Sequence, residues 1–140
     1  MLLLDTMVVS EMRKLEKGLG DPQVRRWLVG VDADSLYLSV ITISEMEAGH
    51  LLMLRKDAVQ AAPLGAWLYQ RVLPEFERRL LSVDRDVALR CAALHIPDPR
   101  PYRDSLIAAT ALVHGMTVVT RNVKDFAGLG VVLLNPWDSA

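Results

Sequence analysis

Cysteine is almost absent. The single Cys91 excludes an internal disulfide framework and any cysteine-based zinc site. It lies in the apolar string Val87 to Leu94, where a small buried hydrophobe is expected rather than a nucleophile. Histidine is thin as well: His50, His95 and His114 are scattered, which argues against a histidine-rich zinc centre. Ser39, Ser44 and Ser105 have no histidine at a suggestive spacing and no nucleophile-elbow motif, so acyl transfer is disfavoured. Neither charge sign dominates. Lys and Arg number 16 against 17 Asp and Glu, a net charge of −1, so no global field recruits nucleic acid and any such contact falls to local arginines. Long apolar runs are missing too. The longest stretch without a charged residue, Ser105 to Thr120, has sixteen residues and is broken by His114 and Gly115. A membrane-spanning helix wants about twenty. Met1 to Leu4 meets Asp5 before any basic or long apolar segment, so no signal peptide is expected. The chain reads as cytoplasmic, with no membrane partner.

What is present fits one globular domain, residues 1–140. Hydrophobic residues make up 51% and charged residues 24%, which excludes a disordered chain. The mean hydropathy of +0.22 is high for a small monomer and hints at a subunit interface. Leu2 to Leu4 predicts a strand stopped by Asp5-Thr6, followed by a helix over about 8–17. Asp21-Pro22 marks the start of a short second helix. Leu36 to Ser39 predicts the next strand, and Thr42 to Lys56 a helix. A longer helical region over about 59–79 carries Pro63 and Pro74, each a start, kink or break. Leu80 to Val83, Met116 to Val119 and Val131 to Leu134 predict three more strands. Helices are expected at about 85–95 and 105–114, the last closed by Gly115. Short apolar strands separated by helices predict an α/β fold, a three-layer α/β/α domain on a mainly parallel five-stranded sheet.

Ligands of an open α/β sheet bind beyond the carboxyl ends of its strands. Asp5 ends the first strand, Glu45 follows the second, Asp125 follows the fourth, and Asp104 opens the helix leading into the fourth. Gathered at one edge, four carboxylates repel unless a cation neutralises them. The cation suited to oxygen ligands beside phosphate is Mg²⁺ or Mn²⁺, which activates water and stabilises charge on a phosphodiester. Structural alternatives stand beside each acid. Glu45 completes a capping box with Thr42, Asp104 could be an N-cap, and Asp125 a solvated loop acid. Asp5, closing an apolar strand, is the hardest to explain structurally. Glu11, Glu47, Asp84 and Asp86 are assigned to helix surfaces and caps.

Four ordered blocks then form one pattern: Leu3-Leu4-Asp5-Thr6; Leu38 to Glu45 with Gly49; Arg103 to Ala111; and Val118 to Asn122 with Asp125-Phe126 and the ending Asn135-Pro136-Trp137. Across essentially the whole chain this resembles the PIN-domain ribonucleases, specifically VapC-type toxins of toxin–antitoxin pairs and, within them, the FitB subgroup. The resemblance implies a metal-dependent endoribonuclease with Asp5, Glu45 and Asp104 as core metal-binding acids and Asp125 as a fourth, more variable one. Thr6, Thr120 and Asn122 match supporting positions. It also implies an RNA substrate, a homodimer, and a small antitoxin that silences the toxin and connects it to operator DNA.

One position departs from the pattern. Met7 stands where the family usually has Asn or Ser, and a thioether cannot act as both donor and acceptor. Arg100, Arg103 and Arg121 are the expected substrate contacts near the site. An aspartyl-phosphate hydrolase is disfavoured because Met7 stands where its second Asp would be, and a phosphorylation receiver because no acid pair precedes the middle strand. The remaining alternative is a nuclease-derived protein that only binds an antitoxin and operator DNA.

Overall fold

A computed structural model describes residues 1–138. Five strands, β1 (Leu2–Leu4), β2 (Leu36–Ser39), β3 (Leu80–Leu81), β4 (Thr117–Val119) and β5 (Leu133–Leu134), form one parallel sheet in the order β3-β2-β1-β4-β5. Alternation along the central strand sorts neighbouring side chains to opposite faces. Leu4 joins Val8, Val9, Leu38, Leu68 and Val119 in one core, whereas Leu3 joins Ile107, Ala108, Val118 and Phe126 in the other. Two cores need helices on both sides, which makes the expected three layers. Connections run outward from β1 to β2 and β3, then return to its other side as β4. The chain therefore reverses direction between β1 and β4, and a crevice opens beyond their carboxyl ends.

Helices α1 (Thr6–Glu16), α2 (Pro22–Val29), α3 (Val40–Lys56), α4 (Ala58–Ala66), α5 (Leu73–Glu75), α6 (Arg85–Leu94) and α7 (Tyr102–His114) complete the chain. Asp21 caps α2 as expected, accepting from the N–H of Gln23 at 2.7 Å, with Pro22 in the first turn. Gly115 ends α7 with φ 67°, a left-handed turn that lets its N–H reach back to Ala111 and Leu112. Between α4 and α5, residues Trp67–Val72 form a wider π-helical stretch, so the long helical region is re-spaced rather than simply broken at its prolines.

Three helix starts differ from expectation and bear on the site, α1 beginning at Thr6 rather than about Val8. Helix α3 begins at Val40, not Thr42, because the Ser39 hydroxyl accepts from the N–H of Ile41 at 3.0 Å and serves as the cap. Thr42 is therefore inside the helix and fully buried, and the Thr42–Glu45 capping box does not form. Helix α7 begins at Tyr102, which places Asp104 inside its first turn rather than at the cap. Glu11, expected on a helix surface, is buried and stands 3.9 Å from Lys14. Asp84 caps α6 as expected, and Cys91 is buried, which pushes its thiol pKa up.

Candidate active site

Asp5 is the first residue beyond β1 and the cap of α1, and its side chain is fully buried. Both of its oxygens are held. The N–H of Thr6 donates to Oδ1 at 2.8 Å, and the Thr120 hydroxyl, just past β4, donates to Oδ2 at 2.7 Å. The crevice between β1 and β4 is thus closed at its base by one hydrogen bond. Thr120 Oγ1 in turn accepts from the N–H of Asn122 at 3.0 Å.

Glu45 lies six residues after Ser39, far enough along α3 to reach back over α1. Its Oε1 accepts the Thr6 hydroxyl proton at 2.6 Å, and Thr6 and Thr42 bring their hydroxyl oxygens within 3.3 Å. Glu47 turns away and pairs with Nδ1 of His50 at 2.8 Å. Asp104 projects from the first turn of α7 toward the same point.

At that point sits the guanidinium of Arg103. Nε donates to Oε2 of Glu45 at 2.8 Å, Nη1 to Oδ1 of Asp104 at 2.9 Å, and Nη2 to Oδ1 of Asp5. One positive charge meets three negative ones. Burial works against the charged guanidinium, but hydrogen bonds to Glu45 and Asp5, the Asp5 charge and a further bond to Asp104 outweigh it. The Arg103 pKa is raised above its ordinary value. A rigid fork with donors on three nitrogens suits this arrangement in a way an ammonium would not.

The structure brings Asp5, Glu45 and Asp104 together and leaves Asp125 outside. Asp125 is exposed on a short turn, Val123–Phe126, and no hydrogen bond or ion pair ties it to the other acids among the described residues. The three arginines also have partners within the chain. Arg103 is committed to the acids, Arg100 donates to the carbonyl of Ala127 at 2.9 Å, and Arg121 lies 5.3 Å over the Trp137 ring. The structure gives Arg103 an internal role that the sequence reading missed. Its signal was the position itself, one residue before an acid in the opening turn of a helix. Met7 is not inert either: its sulfur accepts from Nδ2 of Asn122 at 3.1 Å, filling the acceptor half of an amide's role.

As spaced around the guanidinium, no group of three or more His, Cys, Asp or Glu among the described residues could hold a metal ion. In kind, however, the donors fit one: they are hard carboxylate oxygens and already surround a cation.

Comparison with known proteins identifies relatives of the whole chain. A model of the PIN domain matches residues 2–130. The chain is 34% identical over 142 residues to toxin FitB of Neisseria gonorrhoeae, covering 98% of this chain and 99% of the relative. It is also 34% identical over 148 residues to VapC ribonuclease Y4jK of Sinorhizobium fredii, covering 100% of both. Among solved structures, FitAB bound to the IR36 DNA fragment superposes with a TM-score of 0.86 at 34% identity, covering 100% of this chain and 98% of that one.

Proposed function

Because the chain belongs to the PIN-domain family, we propose that it is a divalent-metal-dependent endoribonuclease acting as the toxin of a type II toxin–antitoxin pair. The observation that carries this reading is the convergence of Asp5, Glu45 and Asp104 where the sheet reverses direction. These three would hold Mg²⁺ or Mn²⁺, with Asp125 as an outer fourth acid. When bound, the ion supplies an activated water and offsets charge building on the scissile phosphodiester. The chain's own residues set the geometry. Thr120 and the N–H of Thr6 fix the Asp5 carboxylate from two sides, and the Thr6 hydroxyl holds Glu45. Asn122 braces Thr120 through its backbone. Arg100 and Arg121, now engaged with the Ala127 carbonyl and the Trp137 ring, would turn to the phosphates of RNA.

The partner reading has its own support. A groove of about 290 Å³ runs between α1, α2 and the π-helical stretch, with Val9, Met12, Leu28, Trp67 and Phe76 as its apolar lining and Glu16, Arg71, Glu75 and Arg79 as its charged lining. A second cleft, which includes Thr6 and Glu45, also has Trp67 in its wall, so one residue lines both. A helical antitoxin segment seated in the groove would extend a basic residue toward the acids, where a guanidinium pairs well with carboxylates. The solved FitAB–DNA complex motivates the assignment of operator DNA as a target reached through the antitoxin. No helix among the described residues is long and apolar enough to cross a membrane.

Purified protein should cleave RNA in Mn²⁺, and Asp5→Asn or Asp104→Asn should abolish cleavage while leaving a folded protein. Full cleavage in excess chelator would falsify the metal reading. Arg103 among the acids, together with Met7, favours a second reading: a descendant with little or no catalysis that acts through an antitoxin and operator DNA. That protein would show no Mn²⁺-dependent rise in melting temperature.

A further inference from the structure

Six carboxylate oxygens belong to Asp5, Glu45 and Asp104, and five already accept hydrogen bonds. Asp5 Oδ1 takes the Thr6 N–H and Arg103, Oδ2 takes Thr120, Glu45 Oε1 takes Thr6, Glu45 Oε2 takes Arg103, and Asp104 Oδ1 takes Arg103. Only Asp104 Oδ2 has no hydrogen-bond partner among the described residues. A divalent ion needs short bonds to several oxygens at once, about 2.0–2.2 Å for Mg²⁺. With the guanidinium in place, the space between one oxygen of each acid is already filled by a cation.

We propose that Arg103 is a built-in cation of this site, a positioning residue that holds the three acids together without metal and must withdraw for metal to enter. The proposal rests on reading the three acids as the metal site. Its chemistry is a competition. Guanidinium and ion would neutralise the same carboxylates, and the guanidinium now holds one oxygen of each. Withdrawal is sterically open, since the Arg103 side chain is 32% exposed and sits at the mouth of the site, whereas Asp5 is sealed at its base. The backbone of α7 need not move, because Arg103 and Asp104 are adjacent and only one has to turn outward. A chain built this way keeps a partly neutralised, ordered site until the ion concentration is high enough to displace the guanidinium.

The test is Mn²⁺ binding by calorimetry, together with thermal melting of metal-free protein, on wild type, Arg103→Ala and Arg103→Lys. Removing the competitor should tighten Mn²⁺ binding by about tenfold or more, the scale of a lost charge-assisted hydrogen bond. Metal-free Arg103→Ala should melt lower than wild type, because three carboxylates are left facing one another, and saturating Mn²⁺ should raise its melting temperature more than that of wild type. Arg103→Lys keeps the charge but loses the three-pronged fork, so its affinity should fall between the other two. It remains informative if the alanine variant does not fold. Millimolar guanidinium chloride added to Arg103→Ala should weaken Mn²⁺ binding back toward wild type, an effect that a purely structural role for Arg103 does not produce. Equal or weaker Mn²⁺ binding by both variants overturns the competition while leaving the metal reading intact. Failure of wild type and both variants to bind Mn²⁺ overturns both.

Discussion

Thr120 donates its hydroxyl proton to Oδ2 of Asp5 across 2.7 Å, joining residues 115 positions apart. Both are fully buried, so no water stands ready to replace either partner. Thr120→Val keeps the shape and removes the donor, leaving a buried carboxylate oxygen unpaired at a cost of about 1–3 kcal/mol. Urea unfolding should show that loss, and Mn²⁺-dependent cleavage should fall with it. Thr120→Ser retains the hydroxyl and should recover most of both. A valine variant as stable as wild type would show that Asp5 is satisfied some other way.

Glu45 and Glu47 offer a sharper comparison, two glutamates on one helix with opposite assignments. Glu45 points to Arg103 and Thr6, whereas Glu47 pairs with His50. Glu45→Gln should reduce RNA cleavage by at least ~100-fold, at or beyond the top of the range for residues that merely support a metal ligand. Glu47→Gln should leave the rate near wild type. The reverse pattern in a cleavage assay would move the site to the other face of α3.

Much of this site can be followed from the sequence because its key residues sit where chain chemistry changes abruptly. Three leucines ending at Asp5 mark a strand edge, and Asp21-Pro22 and Gly115 mark helix ends by mechanisms that need no tertiary partner. The start of α3 is different. Ser39 and Thr42 are both able to cap, and β-branched Val40 and Ile41 between them read equally well as strand, so only packing chooses Ser39. The direction of Arg103 is likewise invisible locally. A guanidinium beside an acid on a helix could face solvent phosphate or turn inward, and the choice depends on Asp5 and Glu45, which are brought to it by other strands. Asp125 has the right sequence position relative to β4, but the Val123–Phe126 turn buries Phe126 and leaves Asp125 outward.

Met7 sets up a gain-of-function prediction. Its sulfur already accepts from Asn122, as a weak, polarisable acceptor. Met7→Asn supplies an oxygen for the same donor and adds an N–H₂ donor that the thioether lacks. Mn²⁺ affinity should rise by up to about tenfold, the lower end of the scale for residues that support metal ligands. Calorimetry on the two proteins checks it, and equal affinities would mark Met7 as a neutral change.

Helix α3 carries exposed leucines at its far end from the site. Leu51, Leu52 and Leu54 are 49%, 61% and 47% exposed, so the run of apolar residues there is not explained by burial on all sides. Val59, at the start of α4, is 82% exposed as well. Such a surface on a charge-balanced chain suits a second copy of itself, and a two-fold seam would use each leucine twice. Covering a leucine contributes about 1.5–3 kcal/mol, so losing Leu52 from both sides of a seam costs about 3 kcal/mol or more, at least ~100-fold in dimer affinity. Light scattering at micromolar concentration should therefore find a dimer for wild type and a monomer for Leu52→Glu. Leu89→Glu, on α6 and equally exposed at 65%, controls for added charge and should remain dimeric. If wild type is a monomer at that concentration, the seam does not exist; if Leu89→Glu dissociates and Leu52→Glu does not, the interface lies on α6 instead.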